Sequence, residues 1–364
     1  MNKMENYETL FQAAKIFDII RQTCNADGYW AGDHNIWDDI VAVRNLEYLL
    51  MSGCGENDSW QLSNGGIKYE CSIKKIFIYL NSRMQIKNNV CTFGEDFWDI
   101  LELLIFIERN RLFEQFPLYN KFKKYASDYI KNGEFYLTNN KWTGVGTIVS
   151  AIRYYKLLKR PYAHLVSIIE KFKNADGTYG DENDVLTVIW HTSQVASILA
   201  AHDTRRAETF KALAKSIHNA KFLSDYNRNY YLAYLGIAYV QNGLCEFNSD
   251  KEYVFNMIIQ VVNNGTLATD RCALCAISQF YIALLGTNMV LVKPIALKDI
   301  LVPFYETQIT NLTNENKVLK SNLEKFENSY PINKKLVKVL KWISSVILAA
   351  IMTAVVTILI TKNL

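Results

Sequence analysis

The sequence predicts an all-α fold, with paired helices wound into a closed ring, followed by a short coiled coil and one C-terminal transmembrane helix. Three observations predict it. The tetrapeptide Asn-Ala-Asp-Gly occurs twice, at 25–28 and 174–177, each time ahead of a helical pattern. Turn sequences and helix-period apolar stretches then recur at steps of roughly 32 to 50 residues, the length of a helix pair with its loops. Finally, Trp342–Ile360 is nineteen residues without a charge, long enough to cross a hydrocarbon core of about 30 Å.

The bounds agree with that outline. The chain's 364 residues suffice for two ordinary domains, or for one large helical domain with an appendage. Its net charge of +4 is modest and its lysines are scattered apart from one C-terminal cluster, which argues against nucleic acid as a partner. Seven cysteines form no regular framework and no secretory signal opens the chain, so they read as reduced cytosolic thiols.

Met1–Arg21 has the period of an amphipathic helix, with Leu10, Phe11, Ala14, Phe17 and Ile20 on one side. The first Asn-Ala-Asp-Gly turn follows and runs through Gly32-Asp33 into a helix that opens near Asp38. The second runs through Gly180-Asp181 into a helix over 185–200, with Asp184 placed to cap its first turn. Asp27 and Asp176 themselves belong to the turns.

Weaker copies precede the expected helices. Asp58-Ser59-Trp60 stands before 67–80, Phe93-Gly94-Glu95-Asp96 before 97–110, and Lys141-Trp142-Thr143-Gly144 before 146–158. Asp225–Arg228 leads into 229–241, and Asn264-Gly265-Thr266 into 268–285. Second helices are expected at 119–131, 162–173, 205–221 and 251–262. No run of period-two alternation asks for a strand.

The helix over 185–200 is apolar on most sides, through Leu186, Ile189, Val195, Ile198 and Leu199. Asp184, Thr187, His191 and Gln194, spaced 3, 4 and 3 apart, make one narrow polar stripe. In the first repeat Asp38, Asn45 and Tyr48 reproduce its 0, +7, +10 spacing. If the stripes face the centre of a ring, they line a cavity together with Trp190 and with Asp99, Tyr154 and Tyr234 at similar places on other helices. The competing possibility is that these groups satisfy one another across packed helices.

From Val302 the pattern changes. Tyr305, Ile309, Leu312, Asn316, Leu319, Leu323 and Phe326 alternate at spacings of 4 and 3, a heptad seam with Asn316 at an a position. A lone Asn there favours a parallel two-stranded coil. A basic linker over 331–341 then carries Lys334, Lys335, Lys338 and Lys341 into the span at 342–360. Lysines ahead of a final span, and Trp342 at its start, place the bulk of the chain in the cytoplasm. A tail anchor in a bacterial inner membrane is expected. Ser345, Ala349, Thr353 and Thr357 recur every four residues in the span, the spacing of small residues that lets helices approach closely in lipid. The expected domains are therefore 1–300, 301–330, 331–341 and 342–360, with self-association as a dimer or larger.

The Asp-Gly-Thr-Tyr-Gly-Asp turn at 176–181 and its helix resemble repeats of the α/α toroids of terpenoid cyclases and protein prenyltransferases. Asp181-Glu182-Asn183-Asp184, followed by Val188-Ile189-Trp190, looks like the Asp-x-Asp-Asp segment of class II triterpene cyclases. The resemblance implies an α/α toroid over 1–300. It implies a proton donor at the middle Asp, where this chain has Asn183, which cannot deliver a proton as a carboxylic acid does. Asp181 and Asp184, if buried together, share a proton instead, with His191 as a base or hydrogen-bond donor. The prenyltransferase zinc site needs a His after an Asp-x-Cys; none follows Asp270-Arg271-Cys272. Neither metal nor cofactor is expected.

Two functions stay open. One is a non-catalytic, membrane-anchored, self-associating toroid that binds a ligand or partner as a sensor or effector. The other is a tethered enzyme that acts on an isoprenoid or other lipophilic molecule by acid-initiated cyclisation.

Overall fold

The computed structural model describes residues 3–30, 38–64, 66–131, 133, 135–136, 144–181, 185–199, 208–209, 212, 225–242, 248–288 and part of 310–322. The chain divides into a large unit, Glu8–Ala296, and a second made of Met1–Tyr7 with Leu297–Leu364. It is mostly helical. The described helices are α1 (Lys3–Thr23), α2 (Asp38–Met51), α3 (Ile73–Arg83), α4 (Phe97–Asn110), α5 (Tyr119–Lys131) and α6 (Gly144–Leu157). They continue with α7 (Ala163–Ile169), α8 (Val185–Ile198), α9 (Asp225–Asn242), α10 (Asn248–Asn263) and α11 (Arg271–Asn288).

Local chemistry sets several of these boundaries. Asp96 caps α4 by accepting the Trp98 N–H at 2.8 Å, and Asp99 reaches back to accept the Asp96 N–H at 3.0 Å. This reciprocal box satisfies donors that a helix start otherwise leaves orphaned. Both Asn-Ala-Asp-Gly copies form the same closed loop. The Asn25 N–H donates to the Tyr29 carbonyl at 2.9 Å and the Asn174 N–H to that of Thr178 at 2.8 Å. Gly28 and Gly177 take φ of 83° and 85°, the left-handed region that disfavours a side chain. The aromatic two residues after each of these glycines, Trp30 or Tyr179, is fully buried in both copies.

Two expectations are corrected. Strands are present: β1 (Ser59–Asn64) pairs antiparallel with β2 (Ile67–Ser72), and β3 (Gln85–Lys87) with β4 (Val90–Thr92). The helix expected over 67–80 is therefore strand first. It becomes α3 only where the Ser72 hydroxyl accepts the Lys75 N–H at 3.2 Å. Nor are all cysteines thiols, because Cys24 and Cys71 form a disulfide, their Cα atoms 6.8 Å apart. The β1–β2 hairpin brings them together over the end of α1. Trp60 Nε1 donates to the Arg21 carbonyl and the Tyr69 hydroxyl to that of Cys24.

Six helices of the large unit pack in a closed cyclic order: α2 on α4, α4 on α6, α6 on α8, α8 on α9, α9 on α11, and α11 back on α2. Four others pair chiefly with a member of that cycle, α3 with α2, α5 with α4, α7 with α6 and α10 with α9. Burial explains the division. Helix α2 is buried continuously from Asp39 to Leu49, whereas α5 buries only Tyr119, Phe122, Ala126, Ser127 and Ile130, one stripe at helical spacing. Close approach within the cycle needs a small residue at Gly236 on α9, where an added Cβ would start 2.6 Å from Phe280 of α11.

In the second unit, Thr310, Thr313, Asn314, Lys317, Val318, Lys320, Ser321 and Asn322 are helical and exposed, and all are off-seam positions of the heptad. Seam residues Ile309, Leu312, Asn316, Leu319 and Leu323 lie outside the described residues. So do Ser345, Ala349, Thr353, Thr357 and the whole 342–360 stretch. Of the helix expected over 205–221, residues 208, 209 and 212 are described, all helical. No helix among the described residues is long and apolar enough to cross a membrane.

Candidate functional site

The closed cycle carries charge at its centre. Helices α2, α4 and α6 are apolar for long runs, and each carries charged residues that range from buried Arg44 and Glu47 to exposed Arg109. Among them are Arg44 and Glu47 on α2, Glu102 and Arg109 on α4, and Arg153 on α6. All five line one cavity of about 120 Å³, with Tyr234 from α9 and Gln279 from α11 completing its polar wall.

Arg44 ties the cluster together. It is 5% exposed. Its Nη1 donates to the Tyr234 hydroxyl at 2.6 Å and lies 3.9 Å from Cys275 Sγ, and its Nη2 faces Glu102 at 3.6 Å. The guanidinium also lies over the rings of Trp98 and Tyr234, 5.5 and 5.7 Å from their centroids. Glu102 accepts the Ser150 hydroxyl at 2.6 Å and has Arg153 at 4.0 Å. Arg109 donates to Glu47 at 2.9 Å, where Asn110 also donates at 3.2 Å.

Electrostatics follow from these partners. Burial opposes the charge on Arg44, but Tyr234, Cys275 and Glu102 outweigh it and hold its pKa above the usual range. Burial likewise raises the Glu102 carboxyl, yet Arg44, Arg153 and the Ser150 hydroxyl leave it below its ordinary value. Arg153 goes the other way. Burial first, then Arg109 and Arg44, lower it despite Glu102. Burial pushes the hydroxyls of Tyr230 and Tyr234 upward, so both remain neutral donors and acceptors.

Among the described sequence candidates, Tyr234 alone lines this cavity. Asn45 and Tyr154 are fully buried on the cyclic helices, and neither side chain finds a hydrogen-bond partner among the described residues. Tyr48 donates to the Ala13 carbonyl at 2.7 Å, a tie to α1. Asp38 is half-buried at the start of α2. Thr187, Trp190, His191 and Gln194 are all buried. His191 stacks on Trp190, whose ring meets Trp98 and Tyr234 edge-on at 6.2 Å each. The helix that bears this stripe therefore packs an aromatic cluster against Arg44. Asp181 is exposed, and Asp184 lies outside the described residues.

Asp99 closes the capping box of α4 and is 6% exposed. Burial, with Asp96 beside it, pushes its carboxyl up to about 8. The folded protein thus keeps this proton where the unfolded chain, near 3.8, has lost it. Stability falls as pH rises through that window, because the folded state binds the extra proton. Asp99→Asn keeps an acceptor for the backbone N–H groups and removes the titration. Melting temperature measured from pH 5 to pH 8 is expected to decline less steeply in this variant than in the native chain.

A second cavity, about 590 Å³ and more open, runs along β4 and the α4 start, walled by Cys91, Phe93, Phe97, Tyr125 and Tyr129. Neither cavity is lined by Asp181, Thr187, Trp190, His191 or Gln194. Among the described residues, no group of three His, Cys, Asp or Glu side chains could hold a metal ion.

Sequence reasoning missed Arg44, Glu47, Glu102, Arg109 and Arg153. For Glu47, Glu102 and Arg153 the signal was a charge between apolar neighbours, as in Leu101-Glu102-Leu103, and Arg44 follows Val41-Ala42-Val43; Arg109, within Glu108-Arg109-Asn110-Arg111, carried none. A helix interior that is greasy on both sides of a charge implies a partner on another helix. Set against known protein families, characterised proteins and solved structures, the chain matches none.

Proposed function

We propose that the chain is an α/α toroid that binds a ligand at its axis, anchored in a membrane by 342–360 and self-associating through 301–330 and the span. The observation that carries the ligand part is the axial cavity, where three helices place five charged side chains around about 120 Å³. Burying charge is costly unless it is paired or used, and a stability role alone is served better by apolar packing. Acid-initiated cyclisation is the weaker reading. It calls for a buried acid, and Asp181 is exposed, while the walls of the axial cavity carry two carboxylates already held by arginines.

The test is to extract the full chain gently and identify what it carries by native mass spectrometry. A small molecule is expected in the native protein and absent from Ala283→Trp, which fills the cavity wall. Retention by the filled variant, or no molecule under any extraction, removes the axial ligand. Self-association is checked separately by cross-linking in the membrane. Dimers or larger forms are expected, and deletion of 304–326 is expected to reduce them. A protein that stays monomeric at every concentration overturns that part.

A further inference from the structure

We infer that the axial cavity takes an oxyanion, the phosphate or carboxylate group of a small ligand, held by Arg153 and Gln279. This deepens the ligand-binding proposal above and rests on it. The basis is how the cluster's hydrogen-bonding capacity is already divided.

Arg44 is committed to Tyr234, Cys275 and Glu102. Arg109 is committed to Glu47. One oxygen of Glu102 takes the Ser150 hydroxyl and the other faces Arg44. Each of the two carboxylates therefore already faces an arginine of the same wall. Arg153 is the remainder. Its opposite charge is Glu102, at 4.0 Å, and among the described residues it makes no hydrogen bond. Three arginines against two glutamates leave the wall with one positive charge in excess.

A guanidinium does not give up its proton in a protein. Crowding by Arg44 and Arg109, together with burial, lowers the Arg153 pKa, and a bound anion offsets that cost. Its flat fork of N–H groups matches the paired oxygens of a carboxylate or phosphate. Gln279 adds a second donor. The residue lines the same cavity, and its Nε2 has no hydrogen-bond partner among the described residues.

Size narrows the class further. About 120 Å³ is a few times the roughly 30 Å³ that one water occupies in the liquid. That is room for a head group, and it falls below the roughly 300 Å³ at which pockets begin to enclose drug-sized molecules. The cavity therefore differs from the greasy pocket that the cyclase resemblance implies.

The test uses the full chain in detergent, titrated with inorganic phosphate and separately with succinate, against sodium chloride at matched ionic strength. A saturable rise in melting temperature with phosphate, succinate or both, beyond that of chloride, is expected. Phosphate alone points to a phosphorylated ligand and succinate alone to a carboxylate. Arg153→Gln is expected to weaken the response at least about tenfold, the loss of a charge-assisted hydrogen bond. Because Arg153 makes no hydrogen bond among the described residues, the unliganded variant should melt no lower than the native chain. Gln279→Leu gives a second readout should Arg153→Gln fail to fold, and is expected to weaken binding several-fold.

No saturable response to either anion, or unchanged affinity in both variants, overturns the inference. The broader reading can survive that outcome. A neutral molecule that leaves in Ala283→Trp but stays in Arg153→Gln keeps the axial ligand and removes the anion. Loss of both signals removes both.

Discussion

Glu102→Ala is expected to destabilise the large unit by about 3–5 kcal/mol, the usual consequence of stripping a buried ion cluster of its counter-charge. The carboxylate is only 12% exposed and stands opposite Arg44 at 3.6 Å and Arg153 at 4.0 Å. Without it, both guanidinium groups stay buried and face no carboxylate nearby. The double replacement Arg44→Met with Glu102→Leu should lose far less, since apolar side chains of similar volume commonly equal or exceed a buried pair in stability. The comparison separates the charge from the packing. Thermal melts of the full chain in detergent supply the numbers, and a single-variant loss below about 1 kcal/mol would show that water screens the cluster.

A pH arm checks the same assignment. Glu102 titrates below its ordinary 4.5 in the folded chain, so its stabilisation is present above that value and disappears as pH falls through the lower folded one. Glu102→Gln should flatten the acid limb of a stability profile. Asp99 acts in the opposite sense, its raised value eroding stability toward neutral pH. The two variants therefore move different ends of one curve.

What the sequence made legible was local. Helices at 97–110 and 119–131 match expectation at both ends, because Asp96 announces a cap and the apolar period is unbroken on either side. The repeated Asn-Ala-Asp-Gly turn reads correctly since its geometry is made within five residues, by a backbone bond from Asn to the residue four on and a left-handed Gly. The β1–β2 hairpin was equally local and was overlooked. Ile67-Lys68-Tyr69-Glu70-Cys71 alternates apolar and polar, and Asn64-Gly65-Gly66 before it is a hairpin turn composition.

The charged cluster was a different kind of miss. Glu102 lies 58 residues from Arg44 and 51 from Arg153, distances over which no spacing rule operates. Only the cyclic packing of α2, α4 and α6 brings them together. For the same reason the polar stripe on α8 could be read as a stripe, while its destination could not. Thr187, His191 and Gln194 share a face and are buried as a set, but Trp98 and Tyr234, which meet the neighbouring Trp190, come from distant turns of the chain.

Gly236→Ala carries the other large effect, and two opposing terms decide its sign. In a helix interior Ala is favoured over Gly by about 1 kcal/mol, so a free site on α9 would gain. This site is not free. An added Cβ would start 2.6 Å from Cδ2 of Phe280 on α11 and 2.9 Å from Cδ1 of Ile258 on α10. Both neighbours are buried, and Phe280 is itself wedged edge-on against Phe255 and Tyr281. Neither ring nor methyl can retreat without moving another core side chain, so overpacking of about 1–3 kcal/mol or more prevails. The melt of Gly236→Ala is expected to fall, and adding Phe280→Leu should restore part of the loss by vacating the contact. A variant that melts at or above the native chain would mean that α9 and α11 stand farther apart than 2.6 Å permits. The α9–α11 step of the cycle, which closes onto α2 through α11, would then need redrawing.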